Sequence, residues 1–228
     1  MKLLSIGKPL SYKGLDIHSI DTYALSTLST LSPYHYMIIH GGDGTIRRVL
    51  KHLHTHYTEL PPFILNPTGS FNVIAKLYRV PALDSLLAML ASGKEPHTHT
   101  HTFYQMNEEV FLFSAGNMGD LQHIFLSETL RFGWLRQGIA KYLLATLFLL
   151  PIHLIMTPFM LMSKTRFFIF TPLHFIPKFG TFYGSVKKID IDLNNTYNML
   201  ELDGDLVIIK ERYLHIREAG TLHIVGNA

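Results

Sequence analysis

The sequence has no cysteine, which excludes disulfides and thiolate metal centres and fits a reducing compartment. Charge is scarce: Asp, Glu, Lys and Arg make up 16%, against 47% apolar residues. That composition builds a core and argues against disorder over most of the length. No run of Lys or Arg occurs, and the formal net charge is only +3. A nucleic-acid groove is therefore excluded as an expectation, and only a mild attraction to anionic lipid is left open. The N-terminus lacks the long apolar run of a secretory leader, because Gly7 and Pro9 interrupt it; a cytoplasmic protein is expected. No internal repeat or low-complexity linker is visible.

The 228 residues suffice for one large domain or two small ones. Over the first 93 residues, short apolar runs alternate with helical spacing. Leu3–Ile6, Leu15–Ile20, Tyr36–Ile39 and Phe63–Leu65 read as strands. Tyr23–Leu31 reads as a short helix capped by Asp21. Ile46, Val49, Leu50, Leu53 and Tyr57 recur at helical spacing, as do Val73, Ile74 and Leu77, and then Leu83, Leu86, Leu87 and Leu90 up to Gly93. This is α/β organisation around a mostly parallel sheet. Beyond Gly93 the strand-like runs are Val110–Phe113, Phe167–Phe170, Lys188–Leu193, Val207–Ile209 and Leu222–Val225, with one helix around 138–150. The expected architecture is an α/β nucleotide-binding domain over 1–93 and a β-rich, sandwich-like domain over 94–228. The last strand is open to returning to the first domain.

Gly41-Gly42-Asp43-Gly44-Thr45 stands directly between a strand and a helix. Glycines there permit positive φ and close approach of an anion to the backbone, whose N–H groups and helix N-terminus favour phosphate. Asp43 adds a carboxylate for Mg²⁺ or an acceptor hydroxyl, and Thr45 can cap the helix through its hydroxyl. An ordinary glycine-rich turn would look the same. A second polar turn, Pro67-Thr68-Gly69-Ser70-Phe71-Asn72, again joins a strand to a helix, and two such turns at strand C-termini line one crevice.

These two segments resemble the diacylglycerol kinase catalytic domain superfamily, which includes bacterial lipid kinases, sphingosine kinases and ceramide kinases. The shared pattern is Gly-Gly-Asp-Gly-Thr, then Pro67, Gly69, Ser70, Asn72 and Ala75, and Pro81 after a short helix. EEVFLFSAGNMGDLQHIF, RFGWLRQGIAKYLL, LELDGDLV and EAGTLHIVG are similar to later family segments, so the resemblance touches nearly the whole chain. It implies transfer of the γ-phosphoryl of ATP to a lipid hydroxyl with Mg²⁺ as cofactor, in a cleft between the two domains. Gly41, Gly42, Asp43, Gly44, Thr45, Thr68, Gly69, Ser70 and Asn72 would hold the nucleotide. Asp43 and Asp205 would be catalytic, Asp205 also being the Mg²⁺ ligand, and Asp120 would recognise the lipid headgroup. Asp203 is read instead as part of a hairpin turn with Gly204. The expected partners are a lipid substrate and, peripherally, the inner face of a membrane, with a homodimer open.

The sequence also departs from the family. Arg47-Arg48 stand where Asn-Glu is usual, Asp-Gly-Glu is Asp203-Gly204-Asp205, the usual Asn-Pro reads Lys8-Pro9, and the acidic Asp-Asp-Gly segment of bacterial members is missing. These motivate a second reading, a catalytically degenerate nucleotide- or lipid-binding module. A small-molecule kinase of the NAD-kinase type, which shares the first glycine motif, is a third. His97, His99 and His101 alternate, which would set them on one strand face about 7 Å apart; half-buried or solvated histidines are favoured over a zinc site. Leu143–Met162 carries no charge, but Pro151, Pro158 and His153 interrupt it. A core helix followed by strands is favoured over a membrane span.

Overall fold

The computed structural model describes residues 1–68, 72–117, 147, 158–159 and 161–228. Gly69, Ser70 and Asp120 fall outside them, as do nearly all of the helix expected at 138–150 and most of the apolar stretch 143–162. The chain divides into two units, Met1–Phe103 with Ala219–Ala228, and Tyr104–Glu218. Two long strands, Thr98–Met106 (β5) and Tyr213–Val225 (β13), run from one unit into the other.

The first unit is α/β. Lys2–Ile6 (β1), Asp16–Ile20 (β2), Tyr36–His40 (β3) and Phe63–Asn66 (β4) form its sheet with parts of β13 and β5, in the order β2-β1-β3-β4-β13-β5. The β1–β2, β1–β3, β3–β4 and β4–β13 pairings are parallel. Parallel strands covered by helices are apolar throughout, and Leu3, Leu4, Ile6, Met37, Ile38 and Ile39 are wholly buried. Asp43–His56 (α1) buries Ile46, Val49, Leu50 and Leu53. Leu83–Ala91 (α3) lays Leu86, Leu87 and Leu90 against Leu3, Ile38, Ile64 and Val225. Each such side chain contributes about 1.5–3 kcal/mol on full burial.

Two local expectations change. Residues 23–31 form only a 3-10 turn, Thr22–Thr27, although Asp21 does cap it by accepting the Tyr23 N–H. The segment is short and buries only Leu25, so nothing extends the helix. α1 begins at Asp43, three residues before the apolar periodicity starts.

The second unit is a sandwich. One layer is Glu109–Phe111 (β6) paired antiparallel with β5, and Lys188–Asp192 (β10) paired antiparallel with the first half of β13. The other is a five-stranded sheet of Ser114–Gly116 (β7), Phe168–Phe170 (β8), Phe182–Tyr183 (β9), Asn198–Leu202 (β11) and Asp205–Ile209 (β12), in the order β12-β11-β7-β8-β9. Tyr104, Met106, Phe111, Leu214 and Ile216 from the first layer pack with Ala115, Ile169, Leu200, Leu202 and Ile209 from the second. The alternation of inward apolar positions along each strand closes this core. The strand expected at 110–113 ends at Phe111 as β6, and β7 begins only at Ser114; the cause of the break is electrostatic. The buried Asp203 carboxylate accepts the N–H groups of Leu112, Phe113 and Ser114, at 2.6, 2.9 and 3.0 Å. No described helix is long and apolar enough to cross a membrane.

Candidate active site

The order β2-β1-β3-β4 reverses direction at β1 and β3, and the crevice outside the carboxyl ends of those strands is where an open α/β sheet holds ligands. Gly7 follows β1 there, and Gly41 follows β3. A depression of about 380 Å³ at this point is lined by Gly7, Thr22, Tyr23, His40, Thr45, Arg48 and His52, among others.

The two polar turns are hydrogen-bonded to each other. The Gly41 N–H donates to the Asn66 carbonyl at 3.1 Å, and the Thr68 N–H donates back to the Gly41 carbonyl at 3.4 Å. Gly41 is required for room and not for a left-handed backbone. A Cβ on it would lie 2.4–2.7 Å from the Thr45 side chain, and none of Gly41, Gly42 and Gly44 has positive φ. The expected Thr45 cap is corrected likewise. The cap residue is Gly42, no side chain caps the helix, and Thr45 covers Gly41 from inside the first turn. The Thr45 N–H donates to the Gly42 carbonyl at 2.9 Å, and the Asp43 and Gly44 N–H groups ahead of it are placed for an outside acceptor.

Asp43 is buried, and its carboxylate accepts the Val73 N–H at 2.7 Å and the Ile74 N–H at 3.2 Å. It caps the short helix Val73–Leu77 (α2) from outside that helix. The side chain the sequence assigns to base or metal chemistry is spent on joining the first turn to the helix after the second. Burial pushes its carboxyl up from the ordinary range, while the two N–H donors and Lys76 pull it down. Asn72 starts α2 in the left-handed region at φ 46°, which asparagine tolerates better than most residues. Thr68 is exposed.

Three residues of this crevice carry no motif and were not legible in advance. Ser5, His40 and Asn66 stand at the ends of β1, β3 and β4. Asn66 Nδ2 donates to His40 Nδ1 at 2.8 Å, His40 Nε2 meets Ser5 Oγ at 3.0 Å, and Ser5 Oγ donates to the Lys8 carbonyl at 2.9 Å. The chain of donors is complete only with neutral His40 protonated on Nε2. Burial, and then the charge of Lys8, hold its pKa below the ordinary imidazole value. A lowered histidine pKa contributes stability that is fully present above the unfolded value of 6.5 and is lost as pH falls through the folded one. Urea midpoints are accordingly expected to drop between pH 7 and pH 5, and the drop should shrink in His40→Gln. The signal that could have found this trio is a polar residue at the last position of β3 and β4, and next to last in β1, in otherwise largely apolar strands.

The two arginines of the family departure have different environments. Arg47 is buried, whereas Arg48 is exposed on the crevice beside Thr45. Asp205, the other sequence-assigned catalytic residue, lies in the second unit. It opens β12, half-buried, opposite Leu202. Its neighbours Asp203 and Gly204, with φ of 51° and 86°, make the two-residue turn expected from the sequence. Among the described residues no group of three or more His, Asp or Glu side chains gathers as a metal site. The histidine ladder instead packs on Tyr78: the His99 ring stacks on it at 5.0 Å, and its hydroxyl meets His101 Nδ1 at 2.7 Å.

Residues 16–102 match the sequence model of the diacylglycerol kinase catalytic domain. Solved structures from Bacillus anthracis str. Sterne, described as a diacylglycerol kinase or a candidate one, are similar over 99% of this chain and 96% of theirs. Their TM-scores are 0.59, 0.58 and 0.55, each at 14% identity. No curated protein matches the sequence. The fold is thus that of these structures. The matched segment, residues 16–102, is similar to the diacylglycerol kinase catalytic domain and contains both polar turns.

Proposed function

We propose that this protein transfers the γ-phosphoryl of ATP to the hydroxyl of a lipid. The observation that carries the reading is the pair of hydrogen-bonded turns, Gly41–Thr45 and the segment beginning at Thr68, at the crevice outside β1 and β3. An uncapped helix start and the exposed cation of Arg48 suit a polyphosphate. The matched family supports the lipid as acceptor.

The chain's own residues act mainly by positioning, which is the larger part of catalysis in phosphoryl transfer. Gly41–Thr45, Thr68 and Asn72 hold the phosphates, and Gly69 and Ser70 complete that set by sequence. Asp43 fixes the spacing of the two turns and does not act as base. Arg48 offers a mobile positive charge to the phosphate oxygens. Asp205 is the residue assigned to Mg²⁺ and to the acceptor proton, since Mg²⁺ bound to phosphates needs only one or two carboxylates from protein and Asp43 has both oxygens committed. When bound, Mg²⁺ supplies charge neutralisation of the phosphates. Asp120 is proposed for the lipid headgroup, and the protein for the cytoplasm, with peripheral contact at the inner membrane face.

The test is transfer of label from γ-labelled ATP into chloroform-extractable product, using a panel of diacylglycerol, sphingoid and ceramide acceptors in detergent micelles. Label in at least one lipid, lost in Asp205→Asn, is expected. ATP binding without label in any lipid would favour the degenerate module that Arg47-Arg48 and the shortened acid at 205 suggest. Label entering NAD instead would favour the small-molecule kinase.

A further inference from the structure

We infer that the second unit carries a docking surface for anionic phospholipid bilayers, built by residues 161–188. Charges are sparse in this chain, yet they are segregated here. No Asp or Glu occurs from Leu161 to Ile189, while Lys164, Arg166, Lys178, Lys187 and Lys188 all lie within that stretch. All five are exposed. Between them stand large apolar side chains that the fold leaves in solvent: Met162 is 83% exposed, Phe175 70% and Phe179 65%.

The fold brings part of this set together, and Phe179 follows Lys178 directly in the chain. Phe167 and Ile169 turn inward to the sandwich core, which anchors the strand behind the surface. Gly180 lies against Leu161, whose carbonyl would stand 2.5 Å from a Cβ at that position, so the 161–166 and 178–181 segments are in contact. Met162, Lys164, Arg166 and Lys178 border one depression of about 500 Å³. Lys178 is held over the Tyr183 ring at 5.1 Å. Two acids, Asp190 and Asp192, reach the same depression, and both are already matched. Asp192 takes a bidentate pair of 2.7 Å bonds from Arg212, and Asp190 meets His215 Nδ1 at 2.7 Å and Lys188 at 4.0 Å. The remaining cations therefore set the sign of the surface.

Exposed aromatic tips beside cations match the chemistry of a membrane interface. The rings enter the headgroup and acyl boundary while Lys and Arg stems lie along it with their charges outward. Attraction to an anionic leaflet acts within a Debye length, about 8–10 Å at ordinary salt, which loops of this reach can use. The same positive sign opposes a second copy of the chain, since like charges would be pressed together. The inference rests on this surface alone and not on the kinase reading.

The experiment is co-sedimentation of the full chain with vesicles of phosphatidylcholine, alone or mixed with phosphatidylglycerol. At least tenfold stronger partitioning onto the mixed vesicles is expected, weakening as salt is raised. Phe175→Ser/Phe179→Ser and Lys164→Glu/Lys178→Glu should each lower it about tenfold with unchanged melting temperature, because every altered side chain is exposed. Equal binding by wild type and both variants, or none to the mixed vesicles, would overturn the inference. So would a dimer in the ultracentrifuge that Phe175→Ser/Phe179→Ser dissolves. Failure on vesicles with label still entering lipid in micelles would sink the surface alone. Vesicle binding without any label transfer would sink the kinase reading alone.

Discussion

Asp203→Ala is expected to destabilise the second unit by about 4 kcal/mol, and to lower its melting temperature by about 10 °C. The carboxylate is buried and accepts three backbone N–H groups, from Leu112, Phe113 and Ser114. Removing it strands three buried donors, each costing about 1–3 kcal/mol when left unsatisfied. Alanine also fits poorly at φ 51°, where Asp is better tolerated. Asp203→Asn keeps the turn and one acceptor, and should lose about half as much. Thermal unfolding followed by circular dichroism reads both. If Asp203→Ala were as stable as wild type and only slowed phosphate transfer, the position would be catalytic and the structural account of the Asp203-Gly204 turn would be wrong.

The second large effect falls on Asp43. Asp43→Ala is expected to cost about 2 kcal/mol of stability, the value of a cap with two charge-assisted bonds, and to weaken ATP binding at least tenfold. Both losses share one cause. The carboxylate is the tie between α1 and the start of α2, and without it the two turns lose their fixed spacing. Asp43→Asn has one acceptor oxygen for two donors and presents an NH₂ group to one of them, so it should resemble Asp43→Ala. A side chain used only as base would behave otherwise: binding and stability would be kept, and only turnover would fall. Calorimetric ATP titration and a urea melt of the same variants separate these cases.

Much of the first unit is written in its local pattern. Fully apolar runs such as Met37–Ile39 and Phe63–Leu65 are what buried parallel strands require, and the structure has β3 and β4 there. The turn at 203–204 was legible because Asp-Gly between two apolar runs has few other uses. What stayed hidden depends on partners distant in sequence. Asp43 and Asp203 look alike as acids beside glycine, and nothing local says that each serves backbone amides, 30 residues away for Asp43 and 89 to 91 away for Asp203. The break between β6 and β7 follows from the same long-range bond. Ser5, His40 and Asn66 meet only because three strands lie side by side. The histidine ladder is a case where period two was correct in form, while its chemistry was set by Tyr78 arriving from α2's C-terminal end.

The most direct test of the phosphate site is residue-resolved. Amide NMR spectra of isotopically labelled protein, titrated with ATP and Mg²⁺, would map where the nucleotide sits. The account predicts the largest shifts at Gly42–Thr45 and Thr68, with His40 and Arg48 following and the amides of β13 silent. Saturating shifts confined to another depression, such as the one lined by Thr30, Tyr34, Tyr57 and Glu59, would contradict it.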